Sequence, residues 1–489
     1  MTGKSGLTRA RRTGYAFGIF TDSLYYNMFY TYYLTFLNEI VGIEPRYSST
    51  IIFISILWDA VTDPIIGAYS DRVGADKRKI MNKAIVPLGL VFIVAWTSIG
   101  SGLPGQWMKI VFYTILSMLI WLFYTLYTIP YYAVVAELTD DYDERTEIRS
   151  ASSLVNALAV GLGNALPALV PTVATLLGAR FRSESYAVVA AIMSVLGVAA
   201  GFICTRCLKG VYKPKTQLSA GESASLGDTM KRFRDILKMR PARFFLAFVF
   251  FFLAGSSMIQ SNITYAVIDC IGTDYDTGII IFIVCMVIAM AVTVPIVEKV
   301  AKVKDRRFAC IVFLSAAVVG ELLLKLFGLD ARLGAFPIMN VCMPVVLGIG
   351  IGTFWTLFYS MSYDLVEVNE YRTGARSEST ITAFPQLIQK FGSAVGILLA
   401  GNLLSLYGYD ASGDLAGKES LFKIETDPHI LNGMENISTL FPAILIGVSI
   451  LFLVLYPVTR KRFTALQAAL NTKKAGGEPD ESQIRTLLK

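Results

Sequence analysis

The sequence predicts an all-α membrane protein of about twelve spans, arranged as two pseudo-symmetric six-helix bundles. Three observations carry this prediction. Apolar stretches of roughly 20 residues, enough to cross a hydrocarbon core, recur from end to end of the 489-residue chain. Lys and Arg crowd alternate loops, and the two halves share a polar pattern at one fixed offset. Hydrophobic residues make up 54% of the chain and charged ones 17%, a balance foreign to soluble domains. In hydrocarbon each segment must satisfy its own backbone, so the spans are helices. They fall near 14–37, 47–70, 80–100, 108–136, 151–177, 186–208, 243–268, 276–300, 308–328, 335–363, 379–407 and 437–460.

The basic loops are Lys4–Arg12, Arg72–Lys79, Arg206–Arg243, Lys299–Arg307 and Arg460–Lys474. The positive-inside rule then places both termini in the cytoplasm. The net charge of +7 follows topology, so a lipid bilayer is the expected partner and nucleic acid is not. The chain divides into a first bundle at 1–208, a cytoplasmic linker at 209–242, a second bundle at 243–460 and a tail at 461–489. Within the linker, Asp228–Met239 is amphipathic and basic and is expected to lie along the membrane surface. Six cysteines form no disulfide framework; Cys204-Thr205-Arg206-Cys207 has redox spacing but ends a span and reads as structural. No cleavage-site pattern precedes the first span, so no removed signal peptide is expected.

The repeat shows in two separate loops. Glu137-Leu138-Thr139-Asp140, Asp143-Glu144-Arg145-Thr146 and Arg149-Ser150-Ala151-Ser152 align with Asp364-Leu365-Val366-Glu367, Glu370-Tyr371-Arg372-Thr373 and Arg376-Ser377-Glu378-Ser379, an offset of 227 (364 less 137). Asp71-Arg72-Val73-Gly74 aligns with Glu298-Lys299-Val300-Ala301 at the same offset. Shared composition does not fix a common offset in two loops, so a six-span unit has been duplicated. Arg145, Glu367, Arg372 and Arg376 are candidate inner-loop gating residues. The offset also exposes an asymmetry: Asp59 and Asp63 map to Met286 and Met290, and Asp22 to Val249. The buried acids belong to the first half.

Asp59 and Asp63 interrupt an apolar run in Trp58-Asp59-Ala60-Val61-Thr62-Asp63-Pro64. Carboxylates inside a span are costly and mark function. Four residues apart, they share a helix face. Two such charges keep one proton between them unless a cation bridges them, which points to Na⁺ or H⁺ and to ion-coupled transport. His429 is the single histidine and lies in an outer loop, which excludes a histidine relay or His-based metal site. No Walker motif supports ATP-driven transport. No nucleophile–base set supports an enzyme, and no cofactor is implied beyond the coupling ion.

Gly67-Ala68-Tyr69-Ser70-Asp71-Arg72-Val73-Gly74, followed by Asp76-Lys77-Arg78-Lys79, resembles the signature loop of the major facilitator superfamily. Gly67 is expected to allow close helix approach, Asp71 to meet a helix N-terminus or a basic partner, and Arg72 and Gly74 to complete the gate loop. The match goes further. Trp58-Asp59-Ala60 with Asp63-Pro64, Phe354-Trp355, Asp364–Tyr371, Arg376-Ser377-Glu378-Ser379 and Lys390-Phe391-Gly392-Ser393-Ala394 resemble the glycoside–pentoside–hexuronide cation symporters, the melibiose permease family. That resemblance implies a major facilitator fold in a bacterial inner or plasma membrane, acting as a monomer. It implies symport of a glycoside or other sugar-like small molecule with Na⁺ or H⁺ by alternating access. Asp59, Asp63 and Thr125 would hold the cation, Asp22 would serve both cation and substrate, Lys390 would connect the two sites, and Trp355 would line the substrate cavity. Independently of the family, a buried lysine needs an acidic partner, and the rings of Trp355 and Tyr132 suit the apolar face of a pyranose.

Two positions depart from that family. Thr128, in Tyr127-Thr128-Ile129-Pro130, stands where the family has an aspartate serving cation and sugar, and the substrate-binding arginine of its fifth helix has no counterpart in Ser150-Ala151-Ser152-Ser153-Leu154. The loss of an acid and a base together suggests a lost pair, and it admits a cation-coupled carrier of a lysolipid or other amphiphile as the alternative. A non-transporting receptor on the same fold is disfavoured by the retained buried acids. Glu321 and Lys325, four residues apart, are expected to pair locally. Gln260, Asn262, Asn156, Asn164 and Gln386 read as interhelical hydrogen-bonding residues.

Overall fold

A computed structural model describes residues 8–70, 76–138, 142–177, 184–210, 212, 234–373, 378–410, 425–474, 477–479 and 482–488. The longer helices are α1 (Arg9–Thr35), α2 (Pro45–Ser70), α3 (Lys77–Ala95), α4 (Gln106–Leu138), α5 (Tyr142–Ala165), α6 (Val170–Leu177) and α7 (Ser185–Cys207) in the first half. The second half holds α8 (Arg240–Ser261), α9 (Tyr275–Val303), α10 (Arg306–Phe327), α11 (Met339–Thr373), α12 (Glu378–Leu406), α13 (Pro428–Ser438), α14 (Leu440–Leu455) and α15 (Arg460–Lys474). Among the described residues, nine helical stretches are long and apolar enough to cross a membrane. They leave large apolar side chains such as Val111, Val195, Val292 and Leu451 exposed, as helices solvated by hydrocarbon do.

Two expected spans are interrupted. The 151–177 stretch passes from α5 through a 3₁₀ turn at Leu166–Leu169 into α6, because Pro167 supplies no N–H to continue the α-helical ladder. The 437–460 stretch breaks at Thr439, between α13 and α14; Thr439 turns its hydroxyl back to the Glu435 carbonyl at 2.7 Å. Helix starts follow side-chain capping. Asp76 caps α3 through the Lys79 N–H and Asp305 caps α10 through the Arg307 N–H, each satisfying a donor the helix cannot.

The duplication is visible in the backbone. A π-helical turn at Phe36–Ile40 has a counterpart at Ala266–Cys270. In the first, the Val41 and Ile43 N–H groups donate to the Phe36 and Leu37 carbonyls; in the second, Ile271 and Thr273 donate to Ala266 and Val267. Gly42 and Gly272 follow at φ 72° and 68°, a conformation glycine adopts without strain. The offset here is 230 (266 less 36), three more than in the basic loops, so the halves differ by three residues along α2 and α9.

The residues gather into two compact units, one drawn from Met1–Ser223, Asp274–Ile280 and Leu398–Ile430, the other from Ala224–Thr273, Ile281–Ile397 and Leu431–Lys489. In the first, α1 packs on α5 and α7, and α4 on α2 and α3. Its core is rich in tyrosine: Tyr15, Tyr127 and Tyr131 pack with Met81, Ile85 and Cys204. In the second, α8 packs on α14, and α10 on α11 and α14. There phenylalanines fill the core, with Phe252 stacked on Phe354 at 4.4 Å between ring centres. Ile236 and Met239, from the linker segment expected along the membrane surface, are buried in this second core together with Ile484 and Leu487 of the tail. Residues 228–233 of that segment lie outside the described residues.

Candidate functional site

The α2 turn that carries Asp59 and Asp63 buries the first completely and leaves the second half-buried. The Thr62 hydroxyl donates to the Asp59 carbonyl at 3.1 Å. Pro64 has no N–H with which to close the helical bond to the Ala60 carbonyl, so the turn between the two acids lacks one rung of its ladder. From α4, the Thr125 hydroxyl donates to Asp59 Oδ1 at 2.6 Å. A hydrogen bond to a carboxylate is among the stronger kinds in a protein interior.

Asp22 on α1 is buried and accepts hydrogen bonds from the hydroxyls of Tyr124 and Tyr132, both on α4. Tyr124 is also within electrostatic reach of Asp59, and Tyr30 of both Asp59 and Asp63. Tyr124 thereby lies between Asp22 and Asp59, and Tyr30 near the two acids of α2. The α4 residues involved are Trp121, Tyr124, Thr125, Thr128 and Tyr132, spaced so that they fall on one helix face. Thr128 is buried on that face, while Tyr132 keeps 54% of its surface exposed. Its ring meets Tyr131 edge-on at 5.2 Å.

The α1–α5 contact holds Asp22's helix in place. Ser23 donates to Asn156 Oδ1, Thr31 to Asn164 Oδ1 at 3.1 Å, and Asn164 Nδ2 to Asn27 Oδ1 at 3.1 Å. Both asparagines act between helices. Asn262 does the same in the second unit, donating to Met434 O and Ser438 Oγ at 3.1 and 2.6 Å.

Trp355 and Lys390 lie in the second unit. Trp355 on α11 is half-buried against Phe354 and Phe358, at 5.3 and 5.7 Å between ring centres. Lys390 is half-buried on α12. Its helix is pressed to α8 by two glycines: a β-carbon on Gly392 or Gly396 would fall 2.6 or 2.1 Å from the Phe250 or Ala254 carbonyl oxygen. Among the gate candidates, Glu367 accepts from Gln467 Nε2 at 3.4 Å and Arg372 is exposed. Arg145 is on α5 with its side chain outside the described residues, where Asp71, Arg72, Gly74 and Arg376 also lie.

Two expectations are corrected. A β-carbon on Gly67 would meet only an Ile129 methyl at 3.9 Å, so no close approach depends on that glycine; the two helices are already spaced by side chains. Lys325 does not pair with Glu321. It reaches across to Glu435 at 2.9 Å and Asn432 at 2.7 Å, because Glu321 points into the interior, only 2% exposed, where a flexible lysine would have to abandon water.

Tyr124 is the site residue that sequence reasoning missed. Its signal was present: it neighbours Thr125 and precedes Tyr132 by eight residues on one face of α4.

The sequence model of the MFS/sugar transport protein family matches residues 14–460. An uncharacterized symporter of Synechocystis sp. is 23% identical over 95% of this chain and 96% of its own length. A glucuronide carrier protein homologue of Escherichia coli K12 is 21% identical over 94% of this chain and 95% of its own. Among solved structures, a bacterial homologue of the human lysosomal transporter Spinster superposes with a TM-score of 0.65 at 11% identity, over 96% of this chain and 99% of that one.

Proposed function

The chain belongs to the MFS/sugar transport protein family, and on that premise we propose that it couples the downhill entry of Na⁺ or H⁺ to uptake of a glycoside-like solute by alternating access. It is an integral, multi-pass membrane protein and a transporter, not an enzyme. The cation would be held by Asp59, Asp63, the Thr125 hydroxyl and the Ala60 carbonyl that Pro64 leaves without its helical donor. This is an all-oxygen set, which suits a hard cation. Asp22, with Tyr124, Tyr132 and Thr128, would receive solute hydroxyls; Trp355 and Lys390 are the substrate-binding candidates of the second unit. Both termini would face the cytoplasm, and one chain would carry one complete pathway.

The observation that carries this reading is the complete burial of Asp59 beneath the Thr125 hydroxyl. An ionised carboxylate in such a place costs several kcal/mol unless compensated. A bound cation removes that cost, so a loaded site tolerates the dehydrated state through which the carrier must pass and an empty charged one resists it. The names borne by the relatives, a symporter and a glucuronide carrier homologue, support the same solute class.

The test is melting of the purified protein across a glycoside library, with Na⁺ replaced by choline at fixed pH and then with pH varied without Na⁺. A glycoside whose stabilisation requires one of the two cations identifies both solute and ion. Stabilisation by lysolipids with none by any sugar would replace the glycoside with an amphiphile. Accumulation in vesicles that survives collapse of both gradients would remove the coupling altogether.

A further inference from the structure

A cavity of about 460 Å³ opens within the second unit where α9 ends, α10 begins and α14 gives way to α15. Four cationic residues line it, Lys302, Arg306, Arg307 and Arg460, against three acids, Glu298, Asp305 and Asp364. Each acid has a partner, though backbone N–H donors cancel no charge, and the cations of the lining exceed its acids by one. Asp364, buried on α11, holds the Arg306 guanidinium. Asp305 spends Oδ1 on the Arg307 N–H and Oδ2 on the Arg460 N–H, both at 3.1 Å. Glu298 stands 3.8 Å from Lys302, with both side chains largely exposed.

Two arginines are satisfied differently. The Arg307 guanidinium donates to the Val454 carbonyl and that of Arg460 to the Lys302 carbonyl. A carbonyl accepts a hydrogen bond but cancels no charge, and each guanidinium has five N–H donors. Tyr456, only 1% exposed, also lines the cavity, and its buried hydroxyl has no hydrogen-bond partner among the described residues. A buried hydroxyl left unpaired is unfavourable unless something enters to accept from it.

We propose that this cavity binds an anionic phosphate group, held by Arg307 and Arg460 and accepting from the Tyr456 hydroxyl. Guanidinium pairs match phosphate oxygens in geometry as well as charge. The cavity lies where the apolar windows of α9, α10 and α14 end, the depth at which lipid headgroups sit. A phosphodiester headgroup that carries no cation and a free phosphate offer the same oxygens, and the experiment separates them; the choline of a zwitterionic headgroup would lie against Lys302 and the arginines.

Purified full-length protein in a zwitterionic detergent is melted with added phosphatidylglycerol, phosphatidylcholine or inorganic phosphate. The expected result is a rise of several degrees with phosphatidylglycerol, none with phosphatidylcholine, and loss of that rise in the Arg307→Gln/Arg460→Gln double variant. Ser360→Phe, which fills the cavity from α11 and keeps every charge, must lose it too, and decides the matter if the double variant does not fold. The same rise from millimolar inorganic phosphate, lost in the same variants, supports the site with a soluble occupant. An equal rise with phosphatidylcholine, or a phosphatidylglycerol rise that survives Ser360→Phe, overturns the proposal.

Discussion

The α2–α4 interface of the first unit and the α9–α11 interface of the second descend from one ancestral contact and have been put to different uses. The 227-residue offset carries Trp121 and Thr125 onto Gly348 and Gly352. In the first unit, side chains fill the interface, and the Thr125 hydroxyl meets the Asp59 carboxylate. In the second, glycines let the backbones close. A β-carbon on Gly348 would lie 2.7 Å from the Met286 carbonyl oxygen, and one on Gly352 would lie 3.4 Å from Met290 Cα. Whether α2 is aligned to α9 by the offset of the basic loops or by that of the π turns, the acids find Met286 and Met290 or Ala289 and Thr293, never a carboxylate. The cores repeat the contrast, with tyrosines whose hydroxyls need partners in one unit and phenylalanines that need none in the other. A carboxylate–hydroxyl contact can exchange its hydrogen-bond partner, whereas a close glycine contact holds helices together.

This comparison breaks most easily at Asp59. Asp59→Asn should abolish cation-driven accumulation in proteoliposomes, a fall on the order of 100-fold, equal to about 2.7 kcal/mol of lost cation binding. Cation-dependent uptake at the wild-type level would end the assignment. Thr125→Ala should weaken the apparent cation affinity roughly tenfold, from about 1.5 kcal/mol for a hydrogen bond to a charged group. Thr125→Ser should restore most of it, and equal affinities in the two variants would deny the hydroxyl its role. Gly348→Ala should destabilise the dry interface by roughly 1–3 kcal/mol of overpacking, read as a lower melting temperature. The cation-dependent shift of that temperature should stay as in the wild type, since the atoms a Gly348 β-carbon would meet belong to Met286, Ala289 and Met290. Gly67→Ala is the smallest effect, within about 1 kcal/mol of wild type and on the stabilising side, since alanine favours the helix. A large loss of stability would restore the close approach that the structure denies.

Much of this protein is legible in one dimension. Apolar length dictates helices because hydrocarbon leaves the backbone no other partner, and the Asp59/Asp63 spacing announces a shared face because helical period is fixed. The duplication, too, is written in the loops. Other features depend on what a side chain meets from a distant helix. The expected Glu321–Lys325 pair obeyed local spacing, yet Lys325 took Glu435, more than a hundred residues away. Tyr124 looked like one aromatic among many until folding laid its hydroxyl on Asp22 from another helix. Gly67 looked like a contact glycine, and only the packing of Ile129 opposite showed that it is not. Periodicity and hydrophobicity alone specify the spans, their duplication and the half that carries the acids. Which hydroxyls face those acids was settled by the fold, because that depends on long-range packing, which local spacing does not encode.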